Sequence, residues 1–259
     1  MDVINVSEHE VFIRTSDIYF KKWTVPEARN TIVLLHDSLG CTTLWREWPE
    51  ALAAALNCNV ISYDRRGYGK SQNYTQKRPL NYLEQEAEIL KDLIDYWEVE
   101  CPVIFGFSDG ASVATIYAGM FPDGLRMLII EGVHVLIEEK TLQGVREAQL
   151  MLETTKIAQV LEKYHGTKVR DLYGAWTQTW LSDEHQSWNI EHFIPEIKVP
   201  ILVIQGELDE FGSMAQVHAF DAASGTVEKC VVNGASHTAH KDEKAYVFAA
   251  VEQFVNKHL

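Results

Sequence analysis

Six short, continuous apolar runs rich in β-branched residues constrain the fold of this chain more than any other feature. Because polar and apolar positions do not alternate within them, the runs are typical of strands buried on both faces of a parallel sheet. Amphipathic helices separate them, and this strand–helix alternation predicts a doubly wound α/β sheet, mostly parallel. The runs are TIVLLH (31–36), NVISYD (59–64), PVIFGF (102–107), RMLIIEG (126–132), VPILVIQG (199–206) and VEKCVV (227–232).

Two departures from this rhythm indicate the domain organisation. Near the N-terminus, EVFIRT (10–15) and DIYFKKWTV (17–25) alternate around a turn at Ser16-Asp17, which predicts a leading antiparallel hairpin. From about residue 137 to 196 the pattern is wholly helical, which predicts a cap over the carboxyl edge of the sheet, where open α/β sheets bind ligands. We therefore expect an α/β core at 1–136, a helical cap at 137–196 and the rest of the core at 197–259.

Composition and charge argue against several classes of function. Of the 259 residues, 46% are hydrophobic, which is ample for a large core, and the formal net charge of −14 repels nucleic-acid phosphates and anionic membranes. The sequence has no signal-peptide pattern, and no apolar run approaches the roughly 18 to 20 residues that span a bilayer. We therefore expect a cytoplasmic protein without nucleic-acid or membrane partners. The cysteines form no C-x-x-C pair and are expected to be reduced thiols in the core (Cys41, Cys58, Cys101, Cys230).

A serine between two glycines is the first candidate for chemistry. The sequence Gly106-Phe107-Ser108-Asp109-Gly110 follows a central apolar run and precedes a predicted helix that begins near Asp109. In this context G-x-S-x-G predicts a nucleophile elbow, in which the serine takes a strained backbone conformation and the glycines let neighbouring segments approach. The elbow requires an acid and then a histidine later in the chain.

Two later strand ends supply those partners. Asp209 follows the run VPILVIQG and His237 follows the run VEKCVV, so both are expected in loops at the carboxyl edge of the sheet. We expect His237 to take the proton of Ser108, and Asp209 to hold the imidazole tautomer and stabilise its charged form. Each residue alone is an ordinary loop residue. The hypothesis depends on three suitable residue types at three strand ends in the required order.

A fourth loop on the same edge is placed to complete an acyl-transfer site. Such a site needs two backbone N–H donors for the oxyanion that develops on the substrate. Asp109, the residue after the nucleophile, offers one donor. The other is expected from the loop His36-Asp37-Ser38-Leu39-Gly40, which follows the strand TIVLL and precedes a helix predicted to begin near Trp45.

Five sequences match one family pattern: HDSLG (36–40), DRRGYGKS (64–71), GFSDG (106–110), GELDE (206–210) and GASH (234–237). With them the chain resembles the α/β-hydrolase fold superfamily, and within it the small, capped enzymes that use a serine nucleophile. The resemblance implies Ser108 as nucleophile, His237 as base and Asp209 as acid. It also implies the N–H groups of Ser38 and Asp109 as oxyanion donors, and a cap inserted after RMLIIEG.

One position departs from the family pattern. Asp37 stands where the family usually has the glycine of a His-Gly pair. Aspartate tolerates unusual backbone angles better than most residues, so the turn is expected to form. Its carboxylate would oppose an oxyanion unless it points away or is paired, and the sequence leaves that question open.

Three other features suggest different kinds of site. GYGKS (67–71) ends like a phosphate-binding loop, but Asp64 stands where that motif requires glycine, so a structural turn is expected. His237 and His240 are three residues apart, but no matching Cys/His pair accompanies them, so no metal is predicted. No cofactor is predicted either. Glu131 is an alternative acid, for which a structural pairing is expected.

Aromatic residues of the predicted cap are candidates for a substrate pocket. Trp176 and Trp180 share one helix face with Tyr173. Most such aromatic stripes pack inside a cap, and packing is the first expectation here. Because the cap should overhang Ser108, the two tryptophans are also candidates for the wall of an apolar acyl or aryl pocket. His134 is a third pocket residue, for which the alternative is a hydrogen-bonded core histidine.

Together these features predict a serine hydrolase that cleaves a small carboxylic ester, thioester or lactone through an acyl-enzyme on Ser108. The expected partner is a small acyl substrate, and the chain is expected to be a monomer or a homodimer. One alternative is carbon–carbon bond hydrolysis of dienone acids, which the few glycines of HDSLG disfavour. Another is a slow-turnover ligand receptor on the same fold, which an intact serine–histidine–aspartate set disfavours.

Overall fold

One eight-stranded sheet runs through the structure, a computed structural model that describes residues 3–74 and 77–259. The strands are β1 (Asn5–Ile13), β2 (Ser16–Thr24), β3 (Thr31–Leu35), β4 (Asn59–Tyr63), β5 (Val103–Phe107), β6 (Met127–Glu131), β7 (Ile201–Gly206) and β8 (Val227–Val232). Their spatial order is β1-β2-β4-β3-β5-β6-β7-β8. Strand β2 is antiparallel to β1 and β4, whereas β3 to β8 are mutually parallel, so their carboxyl ends meet at one edge.

Helices cover both faces of the sheet because both faces are apolar. The helices are α1 (Trp48–Leu56), α2 (Tyr82–Tyr96), α3 (Asp109–Met120), α4 (Glu139–Thr154), α5 (Ile157–His165), α6 (Val169–Trp180), α7 (Met214–His218), α8 (Ala239–Asp242) and α9 (Lys244–His258). Leu52 of α1 joins the core on the face that includes Phe105, together with residues of α9. Leu90 of α2 joins the opposite core with Ile104 and residues of α3. The predicted doubly wound α/β fold is confirmed.

A helical insertion lies between β6 and β7, and we use that name for residues 139–196. It contains α4, α5 and α6, together with 3-10 turns at Gly166–Lys168, Asp183–His185 and Glu191–Glu196. An isolated bridge between Leu136 and Asn189 ties its two ends together. Among the helices of the described residues, none is long and apolar enough to cross a membrane.

The hairpin turn and the start of α1 differ from the sequence prediction. Ile13 pairs with Ser16, so the hairpin turns at Arg14-Thr15 and not at Ser16-Asp17; Arg14 has a φ of 55°, as a tight two-residue turn requires. Helix α1 begins at Trp48, three residues later than predicted, because Arg46 has a φ of 51° and ends the preceding 3-10 turn.

Strand β8 is also less buried than its continuous apolar run predicts. It is the last strand of the sheet, and several of its side chains remain half-exposed or exposed. An edge strand has a neighbour on one side only, so a run such as VEKCVV gains less burial there than in the centre of the sheet. The fully buried strands are β5, β6 and β7.

The cysteines are free thiols, but only two of them lie in the core as predicted. Cys41 and Cys58 are buried, whereas Cys101 is exposed and Cys230, on the edge strand β8, is half-buried.

Candidate active site

Ser108 occupies a sharp turn between β5 and α3. Its φ of 55° and ψ of −123° lie outside the usual regions for a residue with a Cβ, and its N–H donates to the carbonyl of Glu131 at 2.9 Å. The flanking glycines allow this turn because a Cβ on Gly106 would lie 2.3 Å from the carbonyl oxygen of Gly110. One on Gly110 would lie 2.2 Å from that of Leu35. The serine side chain is thereby placed at the carboxyl edge of the sheet.

The structure brings the three predicted side chains into one hydrogen-bonded row. Ser108 Oγ lies 2.9 Å from His237 Nε2, and His237 Nδ1 lies 2.8 Å from Asp209 Oδ2. Because the Asp209 carboxylate accepts from Nδ1–H, Nε2 is left as the acceptor for the serine hydroxyl. Gly206 allows the histidine loop to approach the end of β7, since a Cβ there would lie 2.0 Å from the carbonyl oxygen of Ser236.

Asp209 is almost completely buried and accepts four hydrogen bonds. Besides His237, the donors are Gln205 Nε2 at 2.7 Å, Phe211 N at 2.7 Å and Gly212 N at 3.1 Å. Burial acts to raise the pKa of Asp209, but the hydrogen bond and charge of His237 and the Phe211 N–H lower it to about 2. The carboxylate is therefore ionised at neutral pH.

His237 has the opposite balance. Burial acts to lower the pKa of its imidazole, but the hydrogen bond and the charge of Asp209 outweigh burial and raise the pKa above 6.5. The carboxylate thus favours the charged imidazolium, which is the form a base takes after it removes a proton. The arrangement suits proton transfer from Ser108.

The loop from His36 to Gly40 lies beside this row and has a fixed shape. His36 Nδ1 donates to the carbonyl of Asp37 at 2.8 Å, and His36 Nε2 accepts from Arg65 N at 3.0 Å. The Arg65 side chain donates to the same Asp37 carbonyl at 2.9 Å. Burial and the nearby charge of Arg65 lower the pKa of His36, so its neutral form holds the loop.

Ser38 and Asp109, the two predicted oxyanion donors, both border the cavity in front of Ser108. Asp109 begins helix α3, where backbone N–H groups lack helical partners. Asp37 does not have a positive φ, and its carbonyl accepts from Gly40 N at 3.2 Å, which closes the turn. Glycine is therefore not required at position 37. The Asp37 carboxylate lies against Gly40, where a Cβ would be 2.0 Å from Oδ1.

The carboxylate of Asp109 also lies near the predicted oxyanion site, and a nearby cation and a hydroxyl compensate its charge. Asp109 is 1% exposed, and its Oδ2 lies 3.2 Å from the hydroxyl of Tyr82 and 3.6 Å from Arg65 Nη2. Trp180 of the helical insertion donates from Nε1 to the same Tyr82 hydroxyl at 2.9 Å. The residue after Ser108 is thus part of a buried network that reaches α6.

An apolar cavity of about 210 Å³ opens above Ser108. Helices α4 and α6 and the start of α5 form its far wall, and the three sequence-predicted pocket residues all line it. Among the described lining residues none is lysine or arginine. The lining comprises Asp37, Ser38, Leu39, Phe107, Ser108, Asp109, His134, Thr141, Val145, Ala148, Met151, Ile157, Tyr173, Trp176, Trp180, Glu210, Phe211, His237 and Thr238.

A family model described as "alpha/beta hydrolase fold" matches residues 30–189, more than half of the chain. The chain belongs to the alpha/beta hydrolase family. It is 24% identical to human serine hydrolase BPHL over 159 residues, which cover 58% of this chain and 53% of that relative. The chain thus spans about half the length of the first curated relatives that it matches.

Longer matches extend to other members of the family. The (R)-3-hydroxydecanoyl-ACP:CoA transacylase of Pseudomonas putida is 22% identical over 247 residues, or 88% of this chain and 82% of that protein. The crystal structure of the enol-lactonase from Burkholderia xenovorans LB400 superposes with a TM-score of 0.76 at 17% identity, over 96% of this chain and 100% of that chain. At this identity the structural likeness shows the fold alone.

The helical insertion of this alpha/beta hydrolase is hydrogen-bonded to the loops that carry the site. His165, at the end of α5, accepts from Gly69 N at Nδ1 and donates from Nε2 to the carbonyl of Leu39, both at 2.9 Å. Lys168 donates to the carbonyls of Gly69 at 2.7 Å and Ser71 at 2.8 Å. The insertion is therefore linked to the loop from His36 to Gly40, which we call the proposed oxyanion loop.

The competing motifs of the sequence have structural roles. Asp64 accepts from Thr42 N at 2.6 Å and Lys70 N at 2.7 Å, so GYGKS (67–71) belongs to a tight turn around a buried carboxylate. Glu131 Oε1 accepts from the backbone N–H of His240 at 2.8 Å and from its Nδ1 at 2.9 Å. Groups of three or more side chains suited to a metal ion are absent from the described residues.

Sequence reasoning missed several residues of the site. Arg65 and Arg78 are buried charges over the ring of Tyr68, and no local pattern distinguishes them from surface arginines. Phe211 lies two residues after Asp209 and lines the cavity. Nothing in the sequence of that loop marks it as a cavity residue. The apolar face of α4 supplies Val145 to the cavity. Its helical spacing was a usable signal.

Proposed function

We propose that this alpha/beta hydrolase cleaves a small carboxylic ester, thioester or lactone through an acyl-enzyme on Ser108. The observation that carries the proposal is the hydrogen-bonded row from Ser108 through His237 to Asp209 at the floor of an apolar cavity. A nucleophile, a base and an orienting acid in this geometry are the parts that acyl transfer needs.

In the first half of the reaction, Ser108 Oγ attacks the substrate carbonyl while His237 Nε2 takes the hydroxyl proton. The carbonyl oxygen becomes an oxyanion, which accepts hydrogen bonds from the N–H groups of Ser38 and Asp109. Collapse of the intermediate breaks the bond to the leaving group, which takes the proton from His237. Water then attacks the acyl-enzyme by the same sequence, and the acid leaves. These steps use side chains and backbone groups of the chain and require no cofactor.

The cavity favours a small, uncharged acyl group. Its volume of about 210 Å³ lies below the range of roughly 300–1,000 Å³ of pockets for drug-sized ligands. Lining residues such as Val145 and Trp176 offer apolar contact. Dienone acids are disfavoured because the described lining residues include no arginine or lysine for a substrate carboxylate, whereas Asp37 and Glu210 would repel one. A thioester substrate is compatible with the transacylase relative, whose name specifies acyl transfer between ACP and CoA.

A fluorophosphonate probe tests the proposal directly. We expect rapid labelling of the protein, and no labelling after Ser108→Ala or His237→Ala. Ser224→Ala is the matched control, since this exposed serine donates to the carbonyl of Pro195, and the variant should label normally. Labelling that persists in Ser108→Ala would contradict the proposal.

Turnover separates an enzyme from a slow receptor. With short p-nitrophenyl esters the wild-type protein should reach a kcat within the ordinary enzyme range of ~1 to 10³ s⁻¹, and Ser108→Ala should be inactive while keeping its melting temperature. A labelled protein whose kcat stays far below that range on every ester, thioester and lactone offered would favour a receptor.

A further inference from the structure

His134 lines the cavity, and the proposed mechanism does not use its polar atoms. Its side chain is 3% exposed, and neither ring nitrogen makes a hydrogen bond of ordinary geometry; the backbone of Phe211, whose carbonyl accepts from Thr141 Oγ1, lies close to the ring. Neighbouring polar groups are satisfied: the hydroxyl of Tyr173 donates to the carbonyl of Ala148, and Trp180 Nε1 donates to Tyr82. Among the described lining residues, His134 alone has buried side-chain nitrogen or oxygen atoms without a partner.

The position of His134 does not depend on its ring nitrogens. Ser112 Oγ donates to its backbone carbonyl at 2.7 Å, and the next residue, Val135, donates its N–H to Gln216 at 2.8 Å. The ring packs edge-on against Trp180, with centroids 5.4 Å apart. A phenyl ring would make the same packing contact without burying unpaired nitrogens, which is unfavourable. Packing therefore does not explain a histidine at this position.

His185 provides an internal comparison. It is 1% exposed and its nitrogens also lack partners, but its ring stacks on Trp188 with an interplanar angle of 22° and packs against Trp180. That ring belongs to an aromatic cluster in the helical insertion. The ring of His134 instead borders the cavity and lies 5.6 Å from the ring of His237.

The charge state of His134 limits what it can bind. Burial lowers the pKa of its imidazole to about 4, and the nearby His237 acts in the same direction. The ring is therefore neutral at pH 7, with one N–H donor and one nitrogen acceptor. A hydroxyl group matches both, and a keto oxygen matches the donor, whereas a carboxylate would find no positive charge there.

The surroundings of His134 indicate which part of a substrate it contacts. His134 and Trp180 are 3% and 2% exposed, so they belong to the buried part of the cavity wall. The acyl group stays in place while the leaving group departs, and we assign this buried part of the wall to it. Building on the acyl-enzyme of the proposed function, we propose that His134 selects acyl groups that carry a hydroxyl or keto oxygen on the second or third carbon.

Matched p-nitrophenyl esters test this selection. The substrates are the esters of butyric acid and of both enantiomers of 2-hydroxybutyric and 3-hydroxybutyric acid. We expect the wild-type enzyme to prefer at least one hydroxy ester over the butyrate by about 10-fold in kcat/KM, the order of one hydrogen bond. His134→Phe should abolish this preference by slowing the hydroxy ester more than the butyrate ester, and His134→Gln, which keeps a donor and an acceptor, should retain part of it.

Two controls separate recognition from a structural role. His134→Phe should melt at or above the wild-type temperature, because it keeps the packing and removes unpaired nitrogens. Ser224→Ala, at a position outside the cavity lining, should keep both the wild-type rates and the preference for the hydroxy ester. A variant that slows all esters equally, or a wild-type enzyme with no preference, would overturn the role of His134.

Failure of the proposed function gives a different result. A wild-type protein that hydrolyses no ester and does not react with a fluorophosphonate would overturn the acyl-enzyme itself. A labelled, active enzyme without preference for a hydroxyl would overturn only the selection by His134 and would leave the acyl-enzyme standing.

Discussion

Arg65 Nη2 lies 3.6 Å from Asp109 Oδ2, and both side chains are 1% exposed. The pair places the positive charge of Arg65 beside the carboxylate of Asp109, the residue that directly follows Ser108 in the chain. Since the backbone N–H of Asp109 is a proposed oxyanion donor, an uncompensated charge on its side chain would oppose the negative charge that develops on the substrate. The ion pair therefore lets an aspartate occupy this position.

Removing the cation should damage both stability and catalysis. We expect Arg65→Met to lower the free energy of unfolding by about 3–5 kcal/mol, because it leaves a buried carboxylate without its partner. It should also lower kcat on the order of 10²-fold, comparable with the loss of one oxyanion donor. The double variant Arg65→Met/Asp109→Asn removes both charges and should recover much of each loss. Chemical denaturation and ester kinetics measure the two effects, and a double variant no better than the single one would refute the charge explanation.

The pH profile should report the contact between Asp209 and His237. In the wild type, kcat/KM should rise with pH through an apparent pKa above 6.5, because His237 acts as a base only when neutral and Asp209 raises its pKa. Asp209→Asn should move this rise to lower pH and reduce kcat/KM by about 10⁴-fold, since the amide neither stabilises the imidazolium nor fixes the correct tautomer. Steady-state kinetics from pH 5 to 9 test both points. An unchanged apparent pKa would contradict the assignment of Asp209.

Glycine at position 110 should be required for the position of α3 beneath the proposed oxyanion loop. An added Cβ would lie 2.2 Å from the carbonyl oxygen of Leu35 and 2.6 Å from that of His36, so Gly110→Ala must shift the helix. We expect a loss of about 1–3 kcal/mol in stability and a larger loss of activity. Gly174→Ala in α6 is the control: its nearest neighbour is Gln178 Nε2 at 3.6 Å, and we expect stabilisation of about 0.5–1 kcal/mol. Equal effects of the two substitutions would disprove the steric argument.

His165 should make the attachment of the helical insertion sensitive to acid. Burial lowers the pKa of this imidazole, and its neutral Nδ1 accepts from Gly69 N. Because the unfolded chain binds the proton more tightly, this contribution to stability is complete above the unfolded pKa of about 6.5 and is lost progressively as the pH falls below it. His165→Gln can keep both hydrogen bonds without titrating, so it should lose less stability than the wild type between pH 7.5 and 5.5. His165→Ala should be less stable at both pH values.

Thermal or chemical unfolding at the two pH values measures this difference. The wild type and the variants share every other titratable group, so subtraction isolates His165. If His165→Gln loses as much stability on acidification as the wild type, the histidine does not provide the pH dependence.

Local patterns in the sequence predict the core strands closely. Five of the six apolar runs match strands β3 to β7, with each end of a run within two residues of the corresponding strand end. The sixth run coincides with β8. The turn around Ser108 is equally local, because its two glycines permit a backbone that other residues would block. Hairpin register was less predictable, since several two-residue turns fit the same alternating sequence near Arg14.

The sequence alone determined the family, the doubly wound fold and the order of serine, aspartate and histidine along three strand ends. It could do so because backbone preference and hydrophobic periodicity act over a few residues. Only the tertiary structure decided that Arg65 faces Asp109, that His165 bonds to Leu39 and that His134 is buried without a partner. These relations join segments far apart in the chain. They depend on how side chains pack and exclude water, and no local pattern encodes that.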